Sequence, residues 1–167
     1  MHSIFIEEIE RLKRLLIGIG MNQDDGEDVL QDVYLEAMRN PPKYGNPEEK
    51  ARWLMRVTVN KCTLEFRHRR QNKRYEKEFI QRRAEHEQIQ LSPDCDLMTN
   101  EETQAMIHCL NEMDETLKVP LVMKYFCGLN SNQISEILEL KSGTVRKRLF
   151  GARVILAEML SKKGIKP

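Results

Sequence analysis

The chain has 167 residues, of which 40% are hydrophobic and 32% charged, and its formal net charge is +1. That length suits one or two small domains, and the composition is that of an ordinary helix-prone globular protein. With no apolar run of membrane length and no signal-peptide pattern, membrane insertion is excluded and a cytoplasmic protein is the expectation.

The predicted elements begin with a helix whose stripe is Phe5, Ile9, Leu12, Leu16 and Ile19, ended by Gly18 and Gly20. Asp24 or Asp25 is expected to cap a second helix with Val29, Leu30, Val33, Ala37 and Met38 inside. The segment "RNPPKYGNP" stops it, because paired prolines cannot continue a helix. A third helix starts at Asn46, with Pro47 at its first position and Glu49 closing a capping box. It runs through Trp53, Leu54, Val57 and Leu64 into a basic block. From Glu76 to Asn100 the apolar pattern fades, and "QLSPDCDLMTN" reads as linker. Beyond it, Met106, Ile107 and Leu110 mark a fourth helix. A fifth ends near Cys127 and Gly128, with Pro120 expected in its first turn or at a kink. No stretch alternates like a strand, so the fold class is all-α: two small helical domains joined by a flexible linker.

The C-terminal segments carry the sharpest signal. "NSNQISEILEL" is a short helix with Ile134, Ile137 and Leu138 on one face, opened by a capping box of Asn130 and Gln133. After a turn at Lys141 and Ser142, "SGTVRKRLFGARVIL" and the residues that follow it place Val145, Leu149, Ala152, Leu156 and Met159 on one apolar stripe. Ser142 is the expected N-cap. Arg146, Phe150 and Arg153 fall on the opposite side, with Lys147 beside them. A short helix, a tight turn and a longer basic helix follow helix-turn-helix grammar, in which the second helix offers donors to base edges and phosphates in a major groove.

Charge is segregated along the chain. Lys61 to Arg83 is a basic block, Glu85 to Lys118 is acidic, and the end turns basic again. Two basic blocks kept apart by acidic ones suggest two contacts with a polyanion. The alternative for each block is a merely solvated helix face. Cysteines 62, 95, 109 and 127 have no paired spacing and read as reduced, mostly core thiols. His86, Cys95, His108 and Cys109 lack ligand spacing, so neither metal nor cofactor is expected. There is no phosphate loop or nucleophile–base pair, and an enzyme is not expected.

The stretches "GEDVLQDVYLEAMRN", "ARWLMRVTVNKCTLEFRHRR" and "YFCGLNSNQISEILELKSGTVRKRLFGARVILAEML" together resemble regions two and four of a bacterial sigma factor of the compact extracytoplasmic-function (ECF) group. The resemblance implies a region-two domain over 1–75, a linker over 76–100 and a region-four domain over 101–167. It implies that Asp28, Leu30, Gln31, Asp32 and Tyr34 dock on core RNA polymerase. It implies that Asn60 contacts a base of the −10 element while Arg56, Lys61, Arg67, Arg69, Arg70, Lys73 and Arg74 hold its backbone. Leu64 departs from the pattern, standing where such proteins often carry Asp. On the last helix, Arg146, Lys147 and Phe150 are expected to read the −35 element, and Thr144, Arg148 and Arg153 to grip phosphate. The implied partners are core RNA polymerase, promoter DNA and an anti-sigma factor.

The two promoter elements lie roughly 16–17 base pairs apart, on the order of 55 Å of duplex. The stretch 76–100 extends to about 80 Å, so it spans them with slack. The competing expectation is a stand-alone helix-turn-helix regulator that binds duplex DNA without polymerase.

Overall fold

The computed structural model describes residues 1–79 and 101–164, with side chains at 1–68 and 104–164. Seven helices follow one another: α1 (His2–Ile19), α2 (Gln23–Arg39), α3 (Pro47–Phe79), α4 (Glu101–Glu112), α5 (Glu115–Tyr125), α6 (Ser131–Leu138) and α7 (Ser142–Lys162). The described residues contain no strand.

Local chemistry sets most of these boundaries. Gly20 ends α1 in the left-handed region at φ 97°, a conformation that glycine adopts without a Cβ penalty. α2 is capped by Asn22, whose side chain accepts from the Asp25 amide at 2.9 Å, so the cap lies just before the aspartates expected to supply it. Asp24 and Asp25 instead fill the first turn, where their charge suits the helix dipole. At α3 the expected capping box is present: Glu49 N donates to Asn46 Oδ1 at 2.9 Å, and Asn46 N donates to Glu49 Oε2 at 2.8 Å.

The helix α3 then continues to Phe79, into the stretch read as linker. Residues 80–100, with the rest of that linker and with His86 and Cys95, lie outside the described residues. Pro120 is the sixth residue of α5, in its second turn and not its first, and is buried with Val119, Leu121, Val122 and Met123.

Helices α1, α2 and α3 pack mutually, as do α4, α5, α6 and α7 around α7. The inner stripe of α3 is Leu54, Met55, Thr58, Val59 and Cys62, with Trp53 and Val57 only partly buried. Met38, expected inside, is exposed, as is Leu64: the buried stripe of each helix passes to one side of them. The Thr58 hydroxyl is satisfied within its own helix, donating to the Leu54 carbonyl at 2.8 Å.

The two groups of helices do not stand apart. α1 lies against α4 and α5, α3 lies against α6, and one apolar core runs from Phe5 and Leu12 through Val122 and Met123 to Ile134 and Leu149. Gly18 makes the closest approach. A Cβ there would come within 2.5 Å of Val122 Cγ1 and 3.2 Å of Phe126 Cδ1, so only glycine lets α5 seat this deeply on α1. Cys127 at the end of α5 donates its thiol to the Arg11 carbonyl of α1 at 3.8 Å. Between α3 and α5 the buried Lys118 places its ammonium 5.4 Å from the centre of the Phe66 ring, a cation–π contact.

Candidate nucleic-acid interface

The α6–turn–α7 unit is held by side chains at its elbow. Asn130 accepts from the amides of Asn132 and Gln133 at 3.0 Å each, and the Gln133 side chain accepts from Asn130 N at 2.9 Å. This is the expected capping box, and it satisfies donors that the first turn leaves open. α6 ends at Glu139, in the left-handed region at φ 54°, and Leu140 N reaches back to the Ser135 carbonyl at 2.9 Å. Ser142 proves not to be the N-cap of α7; Lys141 holds that position without a side-chain bond. The Ser142 hydroxyl instead donates to Asn132 Oδ1 at 3.1 Å and lies 3.2 Å from the Ser135 hydroxyl. That triangle ties the start of α7 to the start of α6 and fixes the angle between them.

Val145, Leu149 and Ala152 of α7 are buried. Thr144, Arg146, Lys147, Phe150 and Arg153 are exposed, and Arg148 is partly buried at the margin. Phe150 is 70% exposed, a large apolar ring displayed among cations. The 3.6-residue period therefore placed the outward set of α7 correctly.

On α3 the candidate residues meet different fates. Asn60 and Arg67 are exposed. Lys61 lies 3.5 Å from Asp32 of α2, joining a residue expected to hold DNA to one expected to dock on polymerase. Arg56 donates to Glu139 Oε1 at 2.7 Å and to the Glu136 carbonyl at 3.0 Å, both on the helix-turn-helix unit. The side chains of Arg69, Arg70, Lys73 and Arg74 lie outside the described residues; their backbone continues α3. Arg52, one turn before Arg56, pairs with Glu136 through Nε at 2.9 Å. No periodicity argument finds these partners, because they lie about eighty residues downstream.

On α2, Asp28, Gln31 and Asp32 share an exposed face with Leu35, which is 44% exposed. Leu30 turns partly inward onto the core. Tyr34 packs edge-on against Phe5, with ring centroids 5.1 Å apart, and its hydroxyl lies 3.3 Å from His2 Nδ1. Only three of the five expected docking residues thus offer themselves fully to a partner.

Burial pushes the Cys62 and Cys127 thiols up to about 12, so neither is a thiolate near neutrality. Cys109 is buried as well. Among the described residues no three histidine, cysteine or acidic side chains cluster as a metal would need, and no helix is long and apolar enough to cross a membrane.

A three-helix bundle followed by a helix-turn-helix unit with an outward basic helix defines an all-helical helix-turn-helix protein. The comparisons specify it further. The pattern described as Sigma-70 region 2 matches residues 5–74, and that described as Sigma-70, region 4 matches residues 103–156. The ECF RNA polymerase sigma-E factor of Haemophilus influenzae is 25% identical over 151 residues, covering 86% of this chain and 76% of that one. The RNA polymerase sigma factor HrpL of Pseudomonas syringae pv. syringae is 28% identical over 162 residues, covering 92% and 83%.

Among solved structures, the sigma factor RpoE in complex with the anti-sigma factor NepR from Bartonella quintana matches with a TM-score of 0.68 at 21% identity, over 96% of this chain and 98% of that one. CnrH in complex with the cytosolic domain of CnrY matches with a TM-score of 0.68 at 18% identity, over 96% and 87%. The chain belongs to the sigma-70 family, in its ECF group. Members of that family are transcription initiation factors and not enzymes.

Proposed function

We propose that the chain binds core RNA polymerase and directs it to promoters by reading two DNA elements. The observation that carries this reading is α7: one rigid helix, anchored by Val145, Leu149 and Ala152, that displays Arg146, Lys147 and Phe150 on a single open face. Arginine and lysine donate to guanine acceptors in a major groove, and an exposed ring suits a thymine methyl. Thr144 and Arg153 flank that set and grip phosphate, with Arg148 at its edge. This helix reads −35.

The second element falls to α3. Asn60 presents an amide that both donates and accepts, suited to one unstacked base of the −10 element. Lys61, Arg67, Arg69, Arg70, Lys73 and Arg74 follow the backbone, and Arg56 joins them once released from Glu139. The acidic face of α2, through Asp28, Gln31 and Asp32, docks on polymerase, with Leu30 and Tyr34 supporting it from behind. The domains that do this are 1–75 and 101–167, tethered by 76–100. An anti-sigma factor is the expected regulator, and the cytoplasm the expected site of action.

Transcription in vitro with purified core polymerase and a promoter library tests the reading. The expected result is initiation at promoters sharing two spaced elements. Specific duplex binding by the chain alone, with no polymerase-dependent initiation, overturns it in favour of a stand-alone regulator.

A further inference from the structure

From Ala51 to His68, the exposed side chains of α3 are Asn60, Leu64, Arg67 and His68. Their spacing puts them on one strip, opposite the buried row of Met55, Thr58 and Cys62. Leu64 stands in the middle of that strip, 52% exposed and outside the apolar core. Lys61 is held beside the strip by Asp32 of α2.

A single exposed leucine is ordinary on a protein surface. Its register here sets it apart. On α7 the display runs Arg146, Lys147, Phe150 and Arg153; on α3 it runs Asn60, Lys61, Leu64 and Arg67. Each helix thus sets a polar donor at i−4, a lysine at i−3 and an arginine at i+3 around one exposed apolar side chain. The two helices belong to different groups of packed helices and bury different residues. What they share is therefore a property of the open face and not of the packing.

The chemistry of leucine limits what it can read. It has no side-chain donor or acceptor, so it binds neither a phosphate nor a polar base edge. It is branched and not flat, so it makes a poor stacking platform, a task that falls to aromatic rings. The apolar group that DNA displays on a base edge is the thymine 5-methyl. Four residues of helix rise about 6 Å, no more than two stacked nucleotide steps of about 3.4 Å each. A base at Leu64 is thus within two nucleotides of a base at Asn60, with Lys61 and Arg67 placed to hold the backbone between them and beyond.

We propose that Leu64 is a specificity-determining residue: it packs on the 5-methyl group of a thymine in the −10 element, within two nucleotides of the base taken by Asn60. This rests on the reading of α3 as the −10 helix and deepens it by naming a base.

The test is promoter binding and opening by the full chain assembled with core polymerase, on its preferred promoter. Each thymine of the −10 element is replaced in turn by uracil, which removes the methyl and leaves every hydrogen-bonding group in place. The wild type should lose about two- to fivefold in affinity at one position, the range of one methyl returned to water. Leu64→Ala should weaken binding to the thymine promoter by a like factor and show no further loss with uracil at that position. Leu64→Met, which keeps an apolar side chain of similar reach, should retain the dependence on the methyl. Both variants should keep the wild-type thermal midpoint, because the side chain lies outside the core.

A preferred −10 element without thymine overturns the proposal, as does uracil replacement without effect at every position. So does a uracil loss that persists unchanged in Leu64→Ala. If Leu64→Ala instead slows opening whatever the base, and a pre-opened template cures the defect, Leu64 is a wedge between bases and the methyl contact falls. A wild-type chain that directs no initiation removes the sigma reading and this contact together. Normal initiation with no methyl-sensitive position removes the contact alone.

Discussion

Helices α3 and α7 are both cationic, both amphipathic and both placed by sequence on DNA, yet the fold treats them differently. Arg146, Lys147 and Arg153 of α7 face outward and make no ion pair among the described residues. On α3, Arg52, Arg56 and Lys61 each meet a carboxylate, from Glu136, Glu139 and Asp32. A basic run in a sequence records the capacity to bind a polyanion; only the folded chain says whether that capacity is open or already engaged.

The largest expected effect sharpens the division of α7 into two faces. Leu149→Ala removes a side chain that is 1% exposed and should destabilise the fold by about 2–5 kcal/mol, read as a fall in thermal midpoint. Phe150→Ala, one residue on, should leave that midpoint unchanged. Next comes Arg146→Ala, expected to weaken holoenzyme binding at its preferred −35 base by about 1–3 kcal/mol with stability unaltered. A binding assay against single-base promoter variants measures it. An equal loss at every sequence makes Arg146 a phosphate contact and breaks the comparison.

Asn130→Ala removes the capping box that begins α6 and should cost about 1 kcal/mol of stability, visible in a denaturant titration. The smallest structural effect is that of Asp32→Ala. Its pair with Lys61 is partly exposed, so the loss of stability should stay below about 1 kcal/mol. Affinity for core polymerase should nevertheless fall several-fold in a fluorescence titration. Unchanged polymerase affinity would remove α2 from the docking surface.

How far sequence could see depended on distance along the chain. The boxes Asn46–Glu49 and Asn130–Gln133 were legible because each closes within three residues. The outward set of α7 was legible because helical period alone dictates it. Where neighbouring residues could perform the same task, the choice failed by a step or two, as at Asn22 before Asp24 and at Lys141 before Ser142. Met38 was placed inside because a hydrophobic side chain was assumed to follow its stripe, and the buried stripe of α2 runs to one side of it. The partners of Arg56 lie 80 and 83 residues away. Nothing local to α3 encodes them, so the joining of the two halves was invisible until the chain was folded.

The hydroxyl and amide triangle of Ser142, Asn132 and Ser135 makes the elbow of the helix-turn-helix stiff. On the proposed function of α7, a stiff elbow means that the helix is presented at one pitch, so a new promoter preference is reached by exchanging the residues it displays, one letter at a time, and not by tilting the rod that carries them.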